Sequence, residues 1–193
     1  MKKLMMMLGL VAVFAIAGCS TEQAEQVTRL LGEPDAKVKI VEYSDLECPA
    51  CGAFHKGSFK EIKANYIDTG LVSFELRDFP LPMHEDAFPA AKAAHCAGDQ
   101  GQYFEFAQMV YEGQPDLSDD ALDGYAEELG LDIALFDECR SSTKYNKIIN
   151  GNVARGRADE VNATPTIFVN DIKLQGAQPF EVFQKIIDQE LAK

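Results

Sequence analysis

Basic residues are scarce in this sequence: Lys and Arg number 18 against 31 Asp and Glu, a formal charge of -13 over 193 residues. Such a chain repels polyanions unless it concentrates its cations, and its densest basic spot past the N-terminus is only Arg155 and Arg157, so no nucleic-acid partner is expected. No apolar run reaches the roughly 20 residues of a membrane-spanning helix. There is no Trp, no internal repeat and no low-complexity tract, and 14 Gly and 8 Pro are too few for a collagen-like or disordered chain. Histidine is sparse as well, scattered at positions 55, 84 and 95, and only one C-x-x-C occurs. A closed zinc site needs four ligands, usually from a second C-x-x-C or paired His, so no metal is expected.

What is present begins with an export signal. Lys2 and Lys3 precede an apolar run from Leu4 to Gly18, the length of a secretory h-region. The run ends in Ile16-Ala17-Gly18-Cys19, which resembles the lipobox of bacterial lipoproteins. That resemblance implies a signal peptide over 1–18, cleavage before Cys19, and a diacylglycerol on its thiol that anchors the chain to a membrane of the cell envelope. Residues 19–36 are polar apart from Val27, Leu30 and Leu31, and read as a lipidated tether ending at the Gly32-Glu33-Pro34-Asp35 turn.

Beyond the tether the chain has α/β character. Val38, Ile40 and Glu42 alternate with Lys37, Lys39 and Val41, so Val38–Ser44 reads as a strand. Phe54, Phe59, Ile62 and Tyr66 fall near helical spacing over about 50–67, and a second strand covers 71–79. A strand, helix and strand in so short a stretch form a βαβ unit with parallel strands. Helical patterns then cover 84–97, 102–112, 118–129, 132–141 and 144–161. Short strands at 166–170 and 172–174 around Asn170-Asp171, and an amphipathic helix at 179–191, close the chain.

Cys48-Pro49-Ala50-Cys51 lies where the first strand gives way to the first helix. At a helix N-terminus, unpaired N–H groups and the positive end of the dipole stabilise a thiolate, so Cys48 is expected to be the nucleophile. Cys51, one turn further in, is expected to be the resolving thiol. Glu42 is in phase with the inward residues of the strand, where a carboxylate needs a partner, a proton or water; exposure at the strand end is the competing reading. His55, four residues after Cys51, reads as a surface group. Glu47 either opposes thiolate formation or contacts substrate.

Tyr43-Ser44-Asp45-Leu46-Glu47-Cys48-Pro49-Ala50-Cys51, a long helical segment, and then Ala163-Thr164-Pro165-Thr166 before a strand resemble the DsbA-like branch of the thioredoxin superfamily. The resemblance spans about 35–193. It implies a thioredoxin fold carrying an inserted α-helical subdomain, near 82–162 within a domain of 37–193, and thiol-disulfide oxidoreductase activity without a cofactor. It also implies that Pro165 is the cis-proline facing Cys48 and Cys51, that Thr164 pairs its backbone with an extended substrate and tunes the cysteines, and that Glu42 relays a proton to the resolving thiol.

Two cysteines remain after Cys19, Cys48 and Cys51. Four thiols allow three pairings; the adjacency of Cys48 and Cys51 leaves Cys96 with Cys139, and a second disulfide in the insertion of some DsbA-like proteins supports that pairing. A second redox relay is the rival for this pair, though neither cysteine sits in a C-x-x-C. The favoured function is a thiol oxidase acting on reduced secreted proteins and reoxidised by a membrane protein resembling DsbB or a vitamin K epoxide reductase homologue. The rivals are a disulfide reductase or isomerase, and a non-redox peptide- or copper-binding lipoprotein.

Overall fold

The computed structural model describes residues 29–193. The expected signal peptide at 1–18, the lipid site at Cys19 and the tether up to residue 28 lie outside the described residues. A five-stranded mixed sheet runs in the order β1-β3-β2-β4-β5, with β1 at Leu30–Leu31, β2 at Val38–Ser44, β3 at Val72–Asp78, β4 at Thr166–Val169 and β5 at Ile172–Gln175. The two longest strands, β2 and β3, are parallel from Val38 opposite Val72 to Ser44 opposite Asp78. Such a pair needs a helical crossover, which the segment between them supplies. β4 and β5 add antiparallel, joined at Asn170-Asp171.

β1 corrects the tether reading. Leu30 and Leu31 pair antiparallel with Glu75 and Phe74 on the edge of the sheet. Two leucines in a polar stretch carry no strand period of their own; the exposed ladder of β3 recruits them.

The crossover is one helix in the sequence pattern and two in the structure. Helix α1 spans Pro49–Lys56 and α2 spans Ser58–Ile62, followed by a wider π-helical turn at Lys63–Ile67. The break falls at Gly57-Ser58, a pair that commonly kinks helices. The Ser58 hydroxyl donates to the Gln178 carbonyl at 2.8 Å, which ties α2 to the segment before the last helix, α8, at Phe180–Leu191. Phe54, Phe59, Phe74 and Phe183 interlock between these helices and the sheet, with Phe54 lying 5.4 Å from Phe183 and 5.9 Å from Phe59 between ring centroids.

Between β3 and β4 stand α3 (Ala87–Gly98), α4 (Tyr103–Gly113), α5 (Asp119–Glu128), α6 (Ile133–Ser141) and α7 (Asn146–Ala158). The small side chains of Ala90, Ala91, Ala93, Ala94 and Ala97 let α3 sit buried at the centre of this group. It starts three residues later than the sequence pattern predicts, because His84 is bonded to Asp45 and the Asp86 N–H to Glu47. Asp78, at the end of β3, accepts from Asn152 of α7 at 2.8 Å and pairs with His95 of α3 at 2.9 Å, which fastens the helices to the sheet. Cys96 of α3 is disulfide-bonded to Cys139 of α6 across a sequence separation of 43, a loop whose closure contributes about 4 kcal/mol in the chain-entropy model. Among the described residues, no helix is long and apolar enough to cross a membrane.

Candidate active site

β2 ends by delivering Asp45-Leu46-Glu47 into the start of α1. The buried Asp45 carboxylate accepts from the Glu47 N–H at 2.8 Å, from the Leu81 N–H at 2.8 Å, and pairs with His84 Nδ1 at 2.7 Å. One side chain therefore pins this loop to the loop after β3. Glu47 Oε2 adds a second tie by accepting from the Asp86 N–H at 2.8 Å. Met83, beside His84, is 72% exposed and presents an apolar side chain on that same loop.

Cys48 is the N-cap of α1 and Pro49 its first residue, where the absent N–H of proline costs nothing. Both thiols are free; Cys48 retains 7% exposure and Cys51 none. The Cys51 thiol donates to Cys48 Sγ, and this bond, opposed by burial and joined by the Thr164 side chain and the Cys51 and Ala50 N–H groups, lowers the Cys48 pKa to about 5. Cys51 moves the other way. Burial first, then its bond to Cys48 and the charge of Glu42, push its thiol well above the ordinary value. Two cysteines three residues apart thus differ sharply: one is poised as a thiolate, the other held as a thiol.

The Thr164-Pro165 bond is cis, and the Thr164 carbonyl lies 3.5 Å from Cys48 Sγ. The Thr164 hydroxyl is buried and has no other partner, which leaves it as a donor for the thiolate. The structure thus brings Cys48, Cys51 and the Thr164-Pro165 bond together.

Glu42 is fully buried, which removes the reading of an exposed strand end. The surface reading of His55 is corrected too. His55 is 2% exposed, its Nε2 lies 2.8 Å from Glu42 Oε2, and its ring stacks on Tyr111 at 4.0 Å between centroids. Cys51, His55, Phe59 and Ile62 follow at helical spacing and mark one inward face; that face, facing an inward Glu42, was the available signal.

Gln114 was missed altogether. Its side-chain amide donates to the Leu46 carbonyl at 2.7 Å and the Cys48 carbonyl at 3.1 Å, reaching in from the loop after α4. Gly52 makes room for it, since a Cβ there would meet Gln114 Oε1 at 2.2 Å. The only trace in sequence is a Gln-Pro pair that breaks two helices. Among the described residues, no group of three or more His, Cys, Asp or Glu is placed to hold a metal ion.

A thioredoxin family model matches residues 24–189. Among solved structures, α-DsbA1 of Wolbachia pipientis superposes with a TM-score of 0.76 at 31% identity, covering 85% of this chain and 90% of that one. The chain belongs to the thioredoxin family, on its DsbA-like branch. The DsbA-like fold is shared with BdbD of Bacillus subtilis at a TM-score of 0.78, 24% identity and coverage of 86% of this chain and 95% of that one. The sequence also aligns over 148 residues, at 36% identity, with the Na(+)/H(+) antiporter NhaA 1 of Mycolicibacterium vanbaalenii. That alignment covers 75% of this chain and 24% of the antiporter, so the chain spans about a quarter of the length of that relative. A DsbA-like protein with a thiolate at the head of α1 and a buried thiol beneath it has the groups that thiol-disulfide exchange requires.

Proposed function

We propose that the chain is a thiol oxidase that introduces disulfides into reduced secreted proteins. The observation that carries this reading is the contrast between Cys48, with its pKa lowered to about 5, and Cys51, whose thiol is pushed upward. A stable Cys48 thiolate favours the reduced form, so the oxidised pair readily takes electrons, and it makes Cys48 a good leaving group.

A substrate thiolate attacks Cys48 Sγ of the oxidised pair, the Cys48-Cys51 bond breaks, and its electron pair leaves on Cys51, which takes a proton. A second substrate thiolate then attacks the substrate sulfur of the mixed disulfide and releases Cys48 as thiolate. Two electrons now rest on Cys48 and Cys51. A membrane protein resembling DsbB or a vitamin K epoxide reductase homologue removes them.

In this reading Thr164 offers its backbone to an extended substrate beside Pro165, a form of strand addition. Met83 supplies an apolar contact for an unfolded chain, and Glu42 handles the proton of Cys51. Cys96 and Cys139 form a structural disulfide. A lipid on Cys19 holds the enzyme at the envelope membrane, facing the compartment where secreted proteins fold.

The test mixes stoichiometric oxidised protein with a reduced, unfolded substrate protein and counts substrate disulfides by alkylation and mass spectrometry. The wild type is expected to transfer one disulfide per molecule, and Cys48→Ser none. A wild type that leaves those thiols intact, but reduces substrate disulfides when itself reduced, would reverse the direction assigned.

A further inference from the structure

Beneath Cys48 and Cys51 the fold buries an acid-base pair. Glu42 of β2 and His55 of α1 face each other at 2.8 Å inside an aromatic shell of Phe54, Phe59, Phe74 and Tyr111. Among the described residues, His55 is the hydrogen-bond partner of Glu42, and it engages only Oε2; the other carboxylate oxygen, Oε1, is buried with no partner. A charge pair kept only for stability would satisfy both oxygens, because an unpaired buried acceptor is costly. His55 sits in the last turn of α1, and Cys51 lies one turn back on the same face.

We propose that His55 is a positioning residue that holds the working proton of the active site, acting through Glu42: the Glu42-His55 pair gives one proton to Cys51 when the disulfide opens and takes it back when the disulfide re-forms. This rests on the oxidoreductase reading above. When a substrate thiolate attacks Cys48 Sγ, the Cys48-Cys51 bond breaks and its electron pair goes to Cys51 Sγ. The proton shared between Oε2 and Nε2 passes through the carboxylate to that sulfur, leaving the thiol of Cys51 and a pair one proton poorer. On reoxidation by a disulfide of the partner, Cys51 gives the proton back to the pair as its sulfur attacks. The transfer moves the second negative charge off Cys51, next to the Cys48 thiolate, and onto the Glu42 carboxylate.

The groups that face His55 from other elements fit this role. Glu42 faces it from β2 and Cys51 precedes it on α1. From α4 comes Tyr111, with Tyr103 behind; both hydroxyls are pushed well above their ordinary pKa, first by burial, and stay neutral at physiological pH. The Tyr111 hydroxyl is already engaged with Ser44 Oγ at 2.7 Å. Cys51, held as a thiol, requires a base before it can attack, and Glu42 is the carboxylate whose charge acts on it.

The experiment reacts reduced protein with saturating oxidised glutathione. Cys48 forms a mixed disulfide, and Cys51 then resolves it with first-order kinetics followed by quenching and mass spectrometry from pH 5 to 9. In His55→Gln, which keeps a donor but cannot titrate, resolution is expected to slow at least tenfold at pH 7. Its profile should lose the wild-type titration step and rise with hydroxide alone, while the rate of Cys48 alkylation stays within twofold. Glu42→Gln combined with His55→Gln should be no slower than the slower single variant, since the pair acts as one unit. Unchanged resolution with an unchanged profile in His55→Gln overturns the proposal and leaves the oxidoreductase reading standing; a wild type that never resolves the mixed disulfide defeats both. A second test needs no variant: the His55 ring resonances of the wild type should titrate differently in the disulfide and dithiol forms while those of His95 do not. Identical His55 titration in both forms also overturns the proposal.

Discussion

The molecule holds two cysteine pairs, and their surroundings oppose each other. Cys48 and Cys51 open a helix, where N–H groups and the positive end of the dipole meet the sulfur. Cys96 and Cys139 both fall in the last turn of their helices, α3 and α6, among carbonyls that repel a thiolate, and Cys139 Sγ lies 3.5 Å from an Asp99 carboxylate oxygen. In the proposed function the first pair exchanges and the second stays bonded. Position along a helix contributes, and for Cys48 it adds to the hydrogen bond from Cys51, which is the larger cause.

The strongest way to break this comparison is to remove one cysteine from each pair. Cys51→Ser should trap substrate on Cys48 as a stable mixed disulfide and lower disulfide transfer at least a thousandfold, whereas Cys139→Ser should retain turnover within a few-fold. Equal loss from both, measured on the same reduced substrate, would make the insertion pair a second relay. Next in size is stability. Replacing Cys96 and Cys139 together by alanine should lower the unfolding free energy by about 4 kcal/mol, read from urea titration with Cys48-Cys51 held oxidised. A loss below about 1 kcal/mol would mean that the packing of α3 and α6 already fixes this region.

Much of this was legible beforehand. The β-branched alternation of Val38–Ser44, the C-x-x-C at its end and the helical spacing that follows are local signals, and they mark Cys48, Cys51 and Glu42 in the sequence alone. What was not legible is held by partners distant in sequence. β1 exists because β3 has a free edge, the kink at Gly57-Ser58 is pulled by Gln178, and Gln114 acts on carbonyls 66 and 68 residues away. His55 was misjudged for a similar reason: its burial follows from packing against Tyr111 of the helical insertion, which helical spacing in α1 alone does not reveal.

A pH titration sharpens the comparison further. The Cys48 pKa of about 5 in the folded state lies below the ordinary thiol value of about 8.5, so its thiolate stabilises the reduced protein fully above that value. The contribution falls as pH drops and is gone below about 5. Unfolding of reduced and oxidised protein should therefore differ more at pH 8 than at pH 5, and Cys48 alkylation should show a midpoint near 5. A midpoint near 8.5 would mean that neither the Cys51 thiol nor the start of α1 stabilises the thiolate. The smallest effect expected is from Gln114→Ala, which removes two hydrogen bonds at the start of α1. It should cost roughly 1–2 kcal/mol of stability and slow Cys48 alkylation a few-fold, with the Cys96-Cys139 bond untouched.

The most direct measurement equilibrates the protein across glutathione redox buffers and follows both pairs by alkylation and mass spectrometry. The account predicts that Cys48-Cys51 is reduced at a potential well above that of thioredoxin, while Cys96-Cys139 stays bonded throughout. A Cys48-Cys51 potential at or below that of thioredoxin would contradict it, and would make this DsbA-like chain a reductase.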